Sequence, residues 1–252
     1  MTTFIKHTRA NGLATARKIN PPVTDGLVGV FIFGGTLAQS VRNLATGVTD
    51  ASVIGSPAIG ESYLDLTGNS TAYIQTAIAH SEDLTWISAC RPLTDTTAAL
   101  ISNYWSNSQS YGGQTIGGNL ILSENTVADG LVSAQFTQAF DAAGTSTAAQ
   151  ANTGAPGFAI GADYIISGRV DQIDRTRSVT NITTGASGTN KPALNPADLG
   201  GPIRIGSAYN SQFAGQARHY AAILYDRKIS DEQLTLMNDW LAIILDARGI
   251  SV

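Results

Sequence analysis

The sequence predicts a mostly-β, two-sheet antiparallel jelly-roll sandwich closed by one C-terminal α-helix. Three observations predict it. Many short apolar runs are bounded by Gly, Pro, Asn and Asp, the punctuation of a sandwich or barrel. One run, Leu84 to Arg91, is apolar almost throughout, as in a strand covered on both faces. A single amphipathic helix pattern stands near the C-terminal end.

The strands follow in order. Leu27–Phe33 leads and is stopped by Gly34-Gly35. Tyr63–Leu66 and Tyr73–Thr76 flank the turn residues Gly68-Asn69. Leu84–Arg91 is next, then Ala99–Tyr104, Asn119–Ser123, Leu131–Phe136, Tyr164–Gln172, Ser178–Thr183, Ile203–Gly206 and Phe213–Tyr225. Two stretches read as long loops: the Ala-, Gly-, Thr- and Ser-rich Asp141–Gly157, and Thr183–Pro202. The helix opens on a capping box, Ser230 with Gln233. Leu234, Met237, Leu241, Ile244 and Leu245 share one face, with Trp240 expected to pack beneath it. Gly249 is placed to end the helix in the left-handed region, followed by the apolar Ile250.

The chain has 252 residues, a length at which a β sandwich commonly forms one domain. Charged residues are 13%, about half the usual share. That profile suits extracellular binding modules, fibres and virion proteins. With a net charge of −4 it argues against a nucleic-acid partner. Residues 1–24 contain Lys6, Arg9, Arg17 and Lys18 and no acid, whereas the rest of the chain holds 11 basic and 19 acidic residues. Ending at Asn20-Pro21-Pro22, this segment reads either as a solvated tail or as an arm that lies on the acidic body of a neighbouring subunit. The division is therefore a basic arm, 1–25, and one domain, 26–252. The start has no apolar core of signal-peptide length, and no run is long enough for a transmembrane helix, so synthesis in a cytoplasm and no membrane partner are expected. The sequons at Asn69 and Asn181 then read as chance matches. The one cysteine, Cys90, reads as a buried small hydrophobe.

Two groups of residues resemble a known family. Gly26–Phe33, then Tyr63-Leu64-Asp65-Leu66-Thr67-Gly68 and Tyr73-Ile74-Gln75, are similar to the opening of concanavalin A-like, laminin-G-like jelly rolls. Ile203-Arg204-Ile205-Gly206, Phe213-Ala214-Gly215 and Ala222–Ser230 followed by a helix are similar to their closing pattern. Leu84–Arg91 resembles the strand between. The resemblance covers most of residues 26–250 and concerns the fold, not an activity. It implies two curved antiparallel sheets, with ligands on the concave face or the edge loops. Members include lectins, glucanases and phage or adhesin modules. The longer Gly-, Ala- and Ser-rich stretch around 105–160 departs from the family pattern.

Glucanases of this fold carry closely spaced carboxylates on one strand face. The nearest pair here is Asp171 and Asp174, which on a strand would point to opposite faces. His7, His80 and His219 lack a second histidine at metal-ligand spacing, and His219 reads as a hydrogen-bonded sheet residue. No nucleophile elbow occurs, and Gly112–Gly118 lacks the Lys-Ser/Thr ending of a phosphate loop. These readings lead to the expectation that the chain is not an enzyme, with no catalytic residue, no metal site and no cofactor. Ca²⁺ is the one ion considered, at the scattered Asp95, Asp129 and Asp163. The segment Asn103–Tyr111 is the candidate glycan site, through Tyr104, Trp105, Asn107 and Tyr111: aromatic rings pack on the apolar face of a sugar and amides bond its hydroxyls. The alternative is that Tyr104 or Trp105 is core. The expected function is a structural bacteriophage virion protein, a capsid decoration or tail-attached module. It would be homo-oligomeric or bound to capsid or tail subunits, with host-glycan adhesion compatible. A free carbohydrate-binding lectin is the alternative and a polysaccharide-degrading enzyme a third.

Overall fold

The computed structural model describes residues 16, 18–125, 129–155, 157–192 and 196–252. Two eight-stranded antiparallel sheets pack face to face. The first runs Ser187–Asn190, Arg177–Asn181, Tyr164–Val170, Leu84–Pro92, Gln216–Tyr225, Leu64–Thr67, Ala58–Ile59, with Leu27–Ile32 pairing the second half of Gln216–Tyr225. The second runs Gln150–Asn152, Leu131–Gln138, Gly118–Glu124, Ala98–Ser102, Arg204–Ile205, Tyr73–Gln75, Ser52–Ile54, with Phe158–Ala159 against Leu131–Gln138. From Leu64 to Ser102 the chain alternates between the sheets, strand by strand, which brings sequence neighbours into facing layers.

Three layers result, because the C-terminal helix covers the outer face of the first sheet. The Leu84–Pro92 strand shows the consequence. Leu84, Trp86 and Cys90 point into the core between the sheets, while Ile87 and Ala89 point to the helix. A strand buried on both faces needs no polar alternation, and this explains its continuous apolar run. The helix, Asp231–Asp246, starts on Ser230, which makes the full capping box with Gln233. Leu234, Met237, Leu241 and Leu245 are its buried stripe, and Trp240 packs partly against the same cluster. At its end Gly249 has φ +76°. The Gly249 and Ile250 N–H groups return to the carbonyls of Asp246 and Leu245, a Schellman closure with Ile250 buried.

The fold corrects several boundaries. Asp141–Gly157 is not one loop: Phe140–Asp141 pairs with Ser146–Thr147, and Gln150–Asn152 adds an edge strand to the second sheet. Thr183–Pro202 likewise contains the edge strand Ser187–Asn190. Such edges carry small polar side chains, so main-chain pairing forms them without a hydrophobic pattern to announce them. A one-turn helix, Leu37–Ser40, capped by Thr36 and Gln39, also has too few apolar residues to read. His219 departs in a different way. It is fully buried between the sheets, edge-on to Phe33, and neither ring nitrogen has a hydrogen-bond partner.

Candidate ligand-binding face

Among the described residues no helix covers the outer face of the second sheet. In its place the 206–215 segment folds over it, and Phe213 and Ala208 pack on Ala99 and Ile121. Tyr104 leans on this small apolar cluster, its ring 4.9 Å from Phe213, and its hydroxyl donates to Gln212 Oε1 (2.7 Å). Trp105 lies beside it with ring centroids 5.6 Å apart. Trp105 is 42% exposed, the largest aromatic surface the described residues present to solvent. Its backbone sits at φ +65°, in the left-handed region that a bulky side chain rarely adopts. The N–H of Trp105 donates to the Thr115 carbonyl (2.9 Å), fixing this turn to the returning strand. An exposed indole held in an unfavourable backbone conformation is the kind of local strain that marks binding surfaces.

The platform continues sideways. The Tyr209 N–H donates to the Tyr104 carbonyl (2.9 Å), and the Tyr209 ring lies 3.6 Å from the Arg204 guanidinium carbon. The Tyr73 ring lies 4.3 Å from the same carbon. Strand alternation explains why: Ile205 and Ile74 point into the core, so Arg204 and Tyr73 must point out.

Asn107 is exposed on a two-stranded ribbon, Ser106–Asn107 against Gln114–Thr115. Tyr111 stands at the tip of that ribbon, apart from the Tyr104–Trp105 pair, and among the described residues it makes no ring contact with them. Its hydroxyl donates to the Gln114 carbonyl (2.9 Å) and lies 3.4 Å from Asp198 Oδ2. The tip is tied down through the buried Asp198, whose Oδ1 accepts from Ser108 Oγ (2.6 Å). Gln109 donates from its backbone to the Leu199 carbonyl and from its amide to the Gly200 carbonyl. Beneath, His80 is locked in one tautomer: Nδ1 accepts from the Gly200 N–H (3.1 Å), so Nε2–H donates to Gln138 Oε1 (2.9 Å). Burial lowers its pKa to about 4, keeping it neutral. Sequence reasoning therefore reached Tyr104, Trp105, Asn107 and Tyr111 and missed Tyr209, Arg204 and Tyr73. The outward phase of Arg204 between Ile203 and Ile205 was a readable signal; its tyrosine partners come from distant strands.

The other singled-out residues lie elsewhere. Asp163 accepts two hydrogen bonds from Arg91 (2.7 Å each) and one from the Tyr220 hydroxyl (2.6 Å). Asp95 and Asp129 are exposed, and among the described residues no group of three or more His, Cys, Asp or Glu side chains converges. The Tyr164 strand ends at Val170, so Asp171 and Asp174 sit in a turn. Both carboxylates lie 3.5 Å from Lys228 Nζ, on the same side and not on opposite faces. Lys6, Arg9 and Arg17 lie outside the described residues. Lys18 donates to the Asn43 and Ala45 carbonyls of this same domain. Val23 is buried, and its carbonyl accepts from the Tyr225 hydroxyl.

No family model and no curated protein matches the sequence. Solved structures do match in fold. Trypanosoma rangeli sialidase in complex with 2,3-difluorosialic acid aligns with 93% of this chain at TM-score 0.55 and 14% identity. The botulinum neurotoxin serotype D binding domain aligns with 88% at TM-score 0.59 and 12% identity, and the type G receptor binding domain with 86% at 0.54 and 11%. The chain spans only 37% of the sialidase and 53% and 51% of the two neurotoxin chains. At these identities the likeness is one of fold. It still corrects the expectation that the chain is not an enzyme. A part of the sialidase chain has this fold, and the opposite-face argument against the Asp171–Asp174 pair does not survive the turn that holds them together.

Proposed function

We propose that this chain is a glycan-binding sandwich module that works as an adhesion element, with the outer face of the second sheet as its binding surface. The observation that carries the reading is Trp105: exposed, held at positive φ, and backed by Tyr104 and Phe213. A ring so placed offers its apolar face to a sugar, while Asn107, Gln212 and the tyrosine hydroxyls supply hydrogen bonds at the rim. Neighbours whose names record a sialidase and receptor-binding domains support adhesion in a chain of this shape. A glycan array tests it. Wild type should bind a defined set of glycans and Trp105→Ala should lose them with its melting temperature unchanged. Equal binding by both proteins would refute the site.

The finer setting we propose is the outside of a bacteriophage particle, as a capsid decoration or tail-attached module. The low charge and the basic N-terminal segment support it. Antibodies to the chain should label purified particles of the phage that encodes it; unlabelled particles would remove the virion reading. Assembly through the segment is tested by light-scattering mass with and without residues 1–15. The cut stops short of Lys18–Val23 because those residues pack on the domain. A defined oligomer that becomes a folded monomer supports an assembly arm, and an unchanged mass opposes it.

A further inference from the structure

We infer that the glycan bound on this face carries a carboxylate, and that Arg204 is the residue that selects it. The inference rests on the glycan-binding reading above and names the ligand class of the same site.

Arg204 contrasts with three other part-exposed arginines. Arg91, Arg218 and Arg227 each meet an aspartate, at Asp163, Asp65 and Asp25. Arg204 meets no carboxylate among the described residues. Its Nε donates to Gln75 Oε1 (2.9 Å) and its Nη1 to the Ala208 carbonyl (2.8 Å), both neutral acceptors. Among the described residues Nη2 has no acceptor, and it is not among the buried unpaired atoms, so it is open to solvent. Two tyrosine rings, at 3.6 and 4.3 Å, pack against the guanidinium. A flexible side chain is thereby fixed in advance, with Nε–H and one Nη1 proton occupied and the Nη2 donors open. A planar fork held this way matches the two oxygens of a carboxylate, and little further entropy is lost when the pair forms.

The surroundings favour the same ligand. None of the described contacts of Arg204 or of the aromatic platform is with an acidic residue. In a chain of net charge −4, Arg204 places a positive charge on this face, with no acidic partner among the described residues. The main-chain bond from Tyr209 to Tyr104 connects this packing to the Trp105 platform. One sugar ring on Trp105 and an acidic substituent on Arg204 would then be read together.

The experiment compares wild type on three immobilised glycans of one backbone: carboxylated, methyl-esterified and neutral parent. The carboxylated form should bind about tenfold or more tightly than the ester, about 1.4 kcal/mol, and the preference should shrink as salt rises. Arg204→Gln should erase the preference while Trp105→Ala weakens all three. Arg204→Lys, which keeps charge but not the fork, should retain only part of the preference. Equal wild-type affinity for acid and ester would overturn the inference and leave the glycan reading standing; that comparison needs no variant, so it holds even where Arg204→Gln fails to fold. A preference for the acid that persists undiminished in folded Arg204→Gln would also overturn it. Binding to none of the three, nor to any glycan of the array, would overturn both.

Discussion

Replacing His219 by leucine should stabilise the protein at pH 8 and halve the acid sensitivity that its two buried histidines, His80 and His219, impose. His219 is fully buried between the sheets, and both of its ring nitrogens are unpaired. Burial lowers its pKa from 6.5 to about 4, and burial does the same to His80. With the folded pKa below the unfolded one, the unfolded chain takes the proton first. Stability is therefore fully present above about pH 6.5 and is lost as pH falls toward 4. Integrated from pH 8 to pH 5, one such histidine removes about 2 kcal/mol, and the two together about 4. That is a large share of the roughly 5–15 kcal/mol by which a domain is stable. Leucine at 219 cannot bind the proton, so about half of the loss should vanish. At pH 8 the change also removes a buried polar group without partners, a gain of about 1–3 kcal/mol. His80→Leu should do the opposite at pH 8, because it strands Gln138 Oε1 and the Gly200 N–H. Urea unfolding followed by tryptophan fluorescence at pH 8, 7, 6, 5.5 and 5 measures both effects. A His219→Leu protein with the wild-type pH slope, or one destabilised by more than about 1 kcal/mol at pH 8, would refute the reasoning.

Two further outcomes follow from the core. Cys90 is fully buried and burial pushes its thiol pKa up, so a thiol reagent should label it only after denaturant is added; rapid labelling of the native protein would contradict its placement. Gly206 has φ +82°, and a Cβ there would stand 2.4 Å from Leu66 Cδ1, so Gly206→Ala should cost about 2–4 kcal/mol in urea unfolding. A loss under about 1 kcal/mol would show that the close approach is wrong.

Much of the fold was legible because burial leaves a periodic trace. Leu84–Pro92 announced its two covered faces, and the terminal helix announced its cap, stripe and glycine stop. The edge strands Gln150–Asn152 and Ser187–Asn190 were hidden, since their side chains are small and polar and only main-chain pairing holds them. The turn after Val170 was missed for a related reason: the carboxylates of Asp171 and Asp174 cap the N–H groups of Ile173 and Thr176, which turns what looked like a strand end into a loop around Lys228. At the candidate site, adjacency in sequence gave Tyr104 and Trp105 but also grouped Tyr111 with them. The ribbon between Ser106 and Thr115 carries Tyr111 to the far tip, and Asp198 holds that tip down. The packing on Arg204 needs Tyr73 and Tyr209, which arrive from a different strand and a covering loop, so no local spacing could reveal it.

The most direct measurement is a glycan titration followed on the three tryptophan indole N–H resonances by NMR. Trp86 is buried between the sheets, Trp240 is carried by the C-terminal helix and partly packed against the cluster outside the first sheet, and Trp105 stands on the outer face of the second. Binding on this face predicts that the Trp105 resonance moves in proportion to ligand while those of Trp86 and Trp240 stay still. A bound glycan that moves the Trp240 resonance and leaves Trp105 unchanged would place the site elsewhere and contradict the account.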